Sequence, residues 1–278
     1  MIQIFTKYTG MVIVMSEPIT KDSVIKHKKH ALKQLQNTFE AFINNPDSSY
    51  LKKANLLSYW LEDYSKYLMK EKSFNYSNVL RFSRGDIVSI NFGFNVGSEQ
   101  GGLHFAVVLD NDNKQSSPVL TVLPLCSGTE DKVYERDVFL GNELYEKLNT
   151  KFNKLSYEIE QRATEQKAEY ETLINLINNL EEENVAPRTL SQINEMIAQS
   201  TEKLKLLEEE VSRLAKYEKD ILKLNSGTIV LMEQITTISK MRIYKPKNSK
   251  DLLYGIKLSD VAMNKINEKL KKLYVYSK

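Results

Sequence analysis

The chain has 278 residues, 41% hydrophobic and 27% charged, a balance that excludes an extended, disordered or fibrous protein. Its single cysteine, Cys126, excludes an intrachain disulfide framework and fits a reducing, cytoplasmic setting. The formal net charge of +3 conceals an asymmetry: Lys240 to Lys278 holds 11 basic residues against 3 acidic, while Asn142 to Leu224 holds 12 against 17. Only the C-terminal segment therefore has the charge to meet a polyanion, although a solvated lysine-rich helix fits equally well.

Residues 1–20 carry no clear pattern and are expected to be a poorly ordered lead. Met11–Met15 is too short for a signal-peptide core, and no apolar run approaches the roughly 20 residues that span a bilayer, so no membrane partner is expected. An α-hairpin is expected over 21–76. Ile25, Leu32, Leu35, Phe39 and Phe42 recur at helical spacing, Asn44 to Asp47 form a stop, and Leu57, Trp60, Leu61, Tyr64 and Leu68 make a second apolar face. Lys26, His27, Lys28, Lys29 and His30 fit a solvated helix face better than a nucleic-acid patch. The two histidines have no further ligands at metal spacing, and no metal or other cofactor is expected.

Three strand-like runs follow, Ile87–Phe92, Phe105–Leu109 and Val119–Leu125, with a fourth expected between Lys132 and Leu140. The first two are separated by a polar loop carrying Gly93, Gly97, Gly101 and Gly102, and the next two by turn residues at Asn111–Asn113 and Ser116–Pro118. The pattern then changes abruptly. Between Gly141 and Gly227 there is no glycine and one proline, Pro187. One apolar stripe runs from Leu144 to Leu180, and a second from Ile193 to Leu224. Residues 181–187 form the break between them, and Thr189 with Gln192 is a capping-box signal. The spacing predicts an antiparallel coiled-coil hairpin over 142–225. Strand composition returns at Thr228–Gln234 and Ile243–Tyr244. A closing helix has Ala262, Ile266, Leu270 and Leu273 on one face. The β composition is thus split, 80–141 and 226–278, around a helical insertion.

The strings Arg84-Gly85-Asp86-Ile87-Val88, Val96-Gly97-Ser98-Glu99-Gln100-Gly101-Gly102 and Ala106-Val107-Val108-Leu109 resemble the MazF/PemK family of toxin endoribonucleases. Ile229 to Ile235, with Thr237, Ile238 and Lys240, is similar to that family's late strand and following turn. The resemblance implies an α+β fold built on an SH3-like β-barrel, here interrupted by the coiled-coil hairpin and preceded by the α-hairpin. It also implies a dimer that cleaves single-stranded RNA without metal, through attack by the substrate's own 2′-hydroxyl. A cognate antitoxin would hold it inactive, and that complex would also bind operator DNA.

Two departures fall on the positions the resemblance marks as catalytic. His104 stands where an arginine is expected, and Cys126, ahead of Ser127, where a threonine is expected. Histidine exchanges protons near neutrality and can serve as base or acid, but it lacks the arginine fork for phosphate. Cys126 reads more readily as a small buried hydrophobe than as a catalytic thiol, and Ser127 as the better hydroxyl if strand register lets it reach the site. Ser98, Glu99 and Gln100 on the glycine-rich loop, with Arg84, Lys240 and Arg242, are the candidate RNA contacts. Glu233, inside an apolar run, requires a partner. Two functions stay open: a ribonuclease toxin, and a barrel that binds RNA or antitoxin without cleaving while the coiled coil mediates assembly.

Overall fold

The computed structural model describes residues 19–178 and 187–275. Residues 1–18 of the expected lead and 181–186 of the expected break lie outside the described residues. Residues up to Asp63 and from Tyr64 onward form two compact units, the boundary falling inside a helix.

In the first unit, α1 (Lys21–Ile43) starts on a capping box in which Thr20 and Ser23 each accept the other's backbone N–H. It stops at Asn44, ahead of Pro46, and α2 (Ser48–Lys70) begins after Asp47 accepts the Ser49 N–H at 2.8 Å. Phe42 meets Tyr50 edge-on at 5.5 Å. Ala54 is the one buried residue among the described residues of these helices, and the Lys26–His30 cluster is exposed throughout.

The second unit is α+β, around a seven-stranded antiparallel sheet. Its strands are β2 (Ile87–Asn91), β3 (Leu103–Val108), β5 (Val119–Ser127), β6 (Val138–Phe139), β7 (Thr228–Val230), β8 (Thr236–Ser239) and β9 (Ile243–Lys245). A separate two-stranded ladder joins β1 (Phe82–Ser83) to β4 (Asp112–Asn113). The central strand is β5. One edge pairs with β3, and the other with β8 at Val119–Val122 and then β7 at Leu125–Ser127. The segments before and after the insertion therefore share one sheet.

Alternation along these strands sorts the core into two clusters. Ile87, Val107, Leu123 and Leu125 pack on one face with Leu144, Leu148, Ile221, Leu224 and Ile266. Val88, Ile90, Phe92, Ala106, Val108, Leu120 and Val122 pack on the other with Ile238 and Ile243. The helical insertion is thereby rooted in the first cluster. It consists of α3 (Glu143–Asn178) and α4 (Pro187–Leu222), 36 residues and about 54 Å each. Arg162 pairs with Glu210 at 2.6 Å and Glu169 with Lys203 at 2.7 Å. Moving back along α3 thus moves forward along α4, so the helices run antiparallel. The closing helix α5 (Asp260–Tyr274) is capped by Ser259, which is itself held by the Glu143 carboxylate at 2.5 Å from its N–H and 2.8 Å from its hydroxyl.

Four boundaries differ from the sequence reading. The strand expected over Lys132–Leu140 shrinks to β6. Glu130–Lys132 turns into a 3₁₀ helix, and Arg136 and Asp137 are drawn into side-chain bonds. The apolar run Thr228–Gln234 breaks at Leu231, because Met232–Gln234 is a 3₁₀ turn whose first N–H is capped by Asp137 at 3.0 Å. Helix α4 starts at Pro187 rather than on a cap at Thr189, consistent with the ease of proline at a first helical position. Asp112 and Asn113, read as turn residues, form β4.

Candidate active site

The glycine-rich loop between β2 and β3 is built before it meets anything else. Its neck is closed by Phe92 N–H to the Gly102 carbonyl at 2.8 Å and Gly102 N–H to the Gly93 carbonyl at 2.7 Å. A Cβ at Gly101 would lie 2.9 Å from that same Gly93 oxygen, so only glycine lets the two arms approach. Inside the loop the Asn95 amide donates to the Gln100 carbonyl at 2.7 Å, and Glu99 accepts the Val96 N–H at 3.2 Å.

The loop is then pinned from across the insertion. Gln234, in the 3₁₀ turn, accepts the Gln100 N–H at 3.1 Å and donates to the Ser98 carbonyl at 3.2 Å. A cleft of about 420 Å³ lies beneath, lined by Asn95, Glu99 and Gln100 from the loop and by Gln234, Thr236 and Arg242 from the far side. Arg242 Nε donates to the Asn91 carbonyl at 2.8 Å, which orients its guanidinium along this wall. Burial lowers the basicity of that guanidinium, with the Tyr67 phenol opposing.

The sequence does not mark Gln234, because its neighbours read as strand. The only signal was a Glu-Gln pair interrupting an apolar run. Substituting Gln234→Ala is expected to leave the sheet intact and to speed amide exchange at Gln100 by roughly ten-fold, the size of one lost hydrogen bond of about 1 kcal/mol or slightly more. Hydrogen–deuterium exchange on loop peptides measures this, and unchanged protection would mean the clamp is not what orders the loop.

His104 and Cys126 lie on one face of the sheet. Alternation puts His104 on the side of Ala106 and Val108 and Cys126 on the side of Val122, although the β3–β5 pairing itself runs only from Ala106–Pro124 to Val108–Val122, and neither residue lines the cleft beneath the loop. Ser127 is exposed and falls on the opposite face, since one step along a strand reverses the side chain. Both His104 and Cys126 are half-buried. Burial holds the imidazole below its ordinary value near 6.5, with a backbone hydrogen bond at Leu125 opposing. The group is thus a neutral proton acceptor at pH 7.

Burial pushes the Cys126 thiol up, and the neighbouring Asp137 carboxyl adds to this. Asp137 itself is raised, chiefly by burial, against the Met232 N–H that it accepts. A thiol so placed is not a thiolate nucleophile. Cys126 is expected to react with iodoacetamide at pH 7.5 several-fold more slowly than a free cysteine peptide, measured by mass spectrometry of the native chain. A rate at or above the peptide's would contradict the buried-thiol environment.

Two candidate phosphate contacts are committed to the fold. Lys240 is 1% exposed, and its ammonium donates to the carbonyls of Lys114 at 2.9 Å and Gln115 at 3.2 Å. Arg84 donates to the Leu109 carbonyl and the Asn267 side chain, tying the start of the sheet to α5. Glu233 has the partner its sequence position required, Arg136 at 2.7 Å, but both are about half exposed and such a pair contributes only about 0–1 kcal/mol.

Residues 83–201 match the family described as PemK-like, MazF-like toxin of type II toxin-antitoxin system. Over that segment the chain is similar to this family. The match covers less than half of the chain and contains the glycine-rich loop, His104, Cys126 and β5, but it ends inside α4. The far wall of the cleft, Gln234, Thr236 and Arg242, is joined to the PemK-like segment by the pairing of β7 and β8 with β5. No curated protein matches the chain. Among the described residues, no helix is long and apolar enough to cross a membrane.

Proposed function

We propose that this chain is a cytoplasmic, metal-independent endoribonuclease of a toxin-antitoxin system, acting on single-stranded RNA. The observation that carries the reading is the PemK-like match over 83–201, which takes in the loop and both substituted positions. His104 accepts the 2′-hydroxyl proton, and the oxygen attacks the adjacent phosphorus. The P–O5′ bond breaks, the departing 5′-oxygen takes a proton from water, His104 returns its proton to solvent, and a 2′,3′-cyclic phosphate remains. His104 suits the first step because burial keeps it neutral at pH 7. Gln100 and Arg242, on opposite walls of one cleft, supply donors for the charge that grows on the phosphoryl oxygens. Ser98 and Glu99 line the RNA path on the loop.

In this reading 80–141 and 226–278 form one discontinuous SH3-like barrel, 21–76 an α-hairpin, and 142–225 a coiled-coil arm. The barrel works as a homodimer restrained by an antitoxin, and the toxin–antitoxin complex binds operator DNA. The test incubates the chain with single-stranded RNA with and without EDTA and analyses the ends. Cleavage in EDTA leaving cyclic phosphate supports the reading; no cleavage, or loss of cleavage in EDTA, overturns it.

A second reading, a barrel that binds RNA or antitoxin without cutting, is favoured by one observation: the two positions that the resemblance marks as catalytic hold His104 and a Cys126 whose thiol is kept protonated by burial. It expects the paired substitution His104→Arg with Cys126→Thr to create a toxicity that the parent lacks. Equal toxicity of parent and double variant argues against it.

A further inference from the structure

A second cleft lies on the other face of the sheet, between the root of α4 and strands β2, β3 and β9. It encloses about 190 Å³, room for roughly six waters at about 30 Å³ each. Its walls are apolar, with Leu103 and Phe105 of β3 facing Ile221 of α4 and Leu253. Arg213, Lys216 and Lys245 add three cations, while no carboxylate lines it among the described residues.

These cations are not equivalent. Lys245 is answered from behind by Asp251, at 2.6 Å, and Asp251 also accepts the Tyr217 hydroxyl at 2.9 Å. Arg213 approaches Glu210 only at 3.9 Å, and Glu210 is taken by Arg162 at 2.6 Å. Lys216 makes no ion pair among the described residues and is exposed. The inner polar groups of the cleft therefore satisfy one another, while the two cations contributed by α4 are left to answer a charge that enters it.

We propose that this cleft binds a small amphiphilic anion, with a flat apolar body of one or two rings against Leu103 and Phe105 and an acidic group held by Arg213 and Lys216. Apolar walls with a few convergent polar groups are the usual form of a small-molecule site. The sign of the charge follows from two under-answered cations with no carboxylate in the lining. The site is distinct from the RNA cleft: Phe105 is partly buried against the first core cluster, and alternation sends His104 to the opposite face. It also requires α4, so it belongs to the insertion as much as to the sheet, and it does not depend on the ribonuclease reading.

The probe is naphthalene-1-sulfonate, titrated into the full chain and followed by its own fluorescence, with uncharged 1-methylnaphthalene as its comparison. One saturable site is expected, with the anion bound more tightly than the neutral ring. Joint Arg213→Ala and Lys216→Ala substitution should weaken the anion by roughly tenfold, as for a lost charge-assisted hydrogen bond, and leave the neutral probe unchanged. Leu103 is 51% exposed, so Leu103→Trp fills the cleft without disturbing the core and should abolish both signals. Competition by 1-naphthoate and by 1-naphthyl phosphate separates a carboxylate ligand from a phosphate ligand. Three results overturn the proposal: no saturable binding, equal affinity for the charged and neutral probes, or binding that survives both the double alanine variant and Leu103→Trp.

Discussion

Alanine in place of His104 is expected to lower RNA cleavage by roughly 10²- to 10⁴-fold, the usual contribution of a positioned general base. Single-turnover cleavage of a labelled oligonucleotide measures it, with circular dichroism to show that the half-buried site still folds. The pH profile makes the test specific. Burial favours the neutral imidazole, so the folded value lies below 6.5. Cleavage by the parent should therefore rise with pH through that lower value and then level off. His104→Arg should lose this limb, because a guanidinium stays protonated across the range and accepts no proton. A limb centred above 6.5, or equal rates in parent and alanine variant, contradicts the base assignment. Stability carries the same sign. The unfolded chain binds the His104 proton more readily, so stability increases with pH from the folded value up to about 6.5, and acidification through that window removes it.

The second large effect lies away from the chemistry. Asp251 is 3% exposed and gathers four donors: the Lys245 ammonium, the Tyr217 hydroxyl, and the backbone N–H groups of Lys247 and Asn248. Asp251→Ala removes all four acceptor contacts and leaves Lys245 partly buried without its counter-charge. Breaking a buried pair in this way costs about 3–5 kcal/mol. Tyr217→Phe, which deletes one of the four donors, should cost only about 0.5–1.5 kcal/mol. Urea unfolding followed by far-ultraviolet circular dichroism distinguishes the two. The Asp251 carboxyl is held below its ordinary value near 3.8: burial opposes this, and the Lys245 and Lys247 contacts outweigh burial. Its contribution is therefore present above pH 3.8 and lost as pH falls through the lower folded value. The alanine variant should lose that part of the acid dependence. A destabilisation below 1 kcal/mol would mean that the loop from Lys245 to Leu252 is held by its apolar contacts instead.

Much of the fold was legible because its strongest signals are periodic. The runs that became β2, β3 and β5 alternate or are wholly apolar, and the glycine-free stretch after Gly141 has a helical stripe that became α3 and α4. The shared face of His104 and Cys126 follows from strand parity once β3 and β5 are paired, and the same parity removes Ser127 from that face. Side-chain destinations were not legible. Lys240 belongs to a basic run and reads as a phosphate contact, yet its ammonium ends on carbonyls 125 and 126 residues earlier in the chain. Arg84 likewise reaches Asn267, 183 residues away. Local composition fixes the charge of a side chain, and only tertiary packing decides which oxygen it meets. The role of Gln234 is hidden for the same reason: its two partners lie on the other side of the insertion.

The arrangement of β5 between two sequence-distant neighbours has a consequence for synthesis on the ribosome. A nascent chain that has emerged only as far as α4 already contains β2, β3, β5 and His104, but neither Gln234 nor Arg242. Until Thr228–Ser239 arrives, one edge of β5 has no partner, the loop is unclamped and the cleft lacks a wall. Closing that edge spans about one hundred residues, which a flexible linker would make entropically costly. The antiparallel helices instead form from neighbouring turns and return the two ends to one another. Premature termination anywhere in the insertion would thus release a product without the far wall of the cleft, which is complete only once the last fifth of the chain has been made.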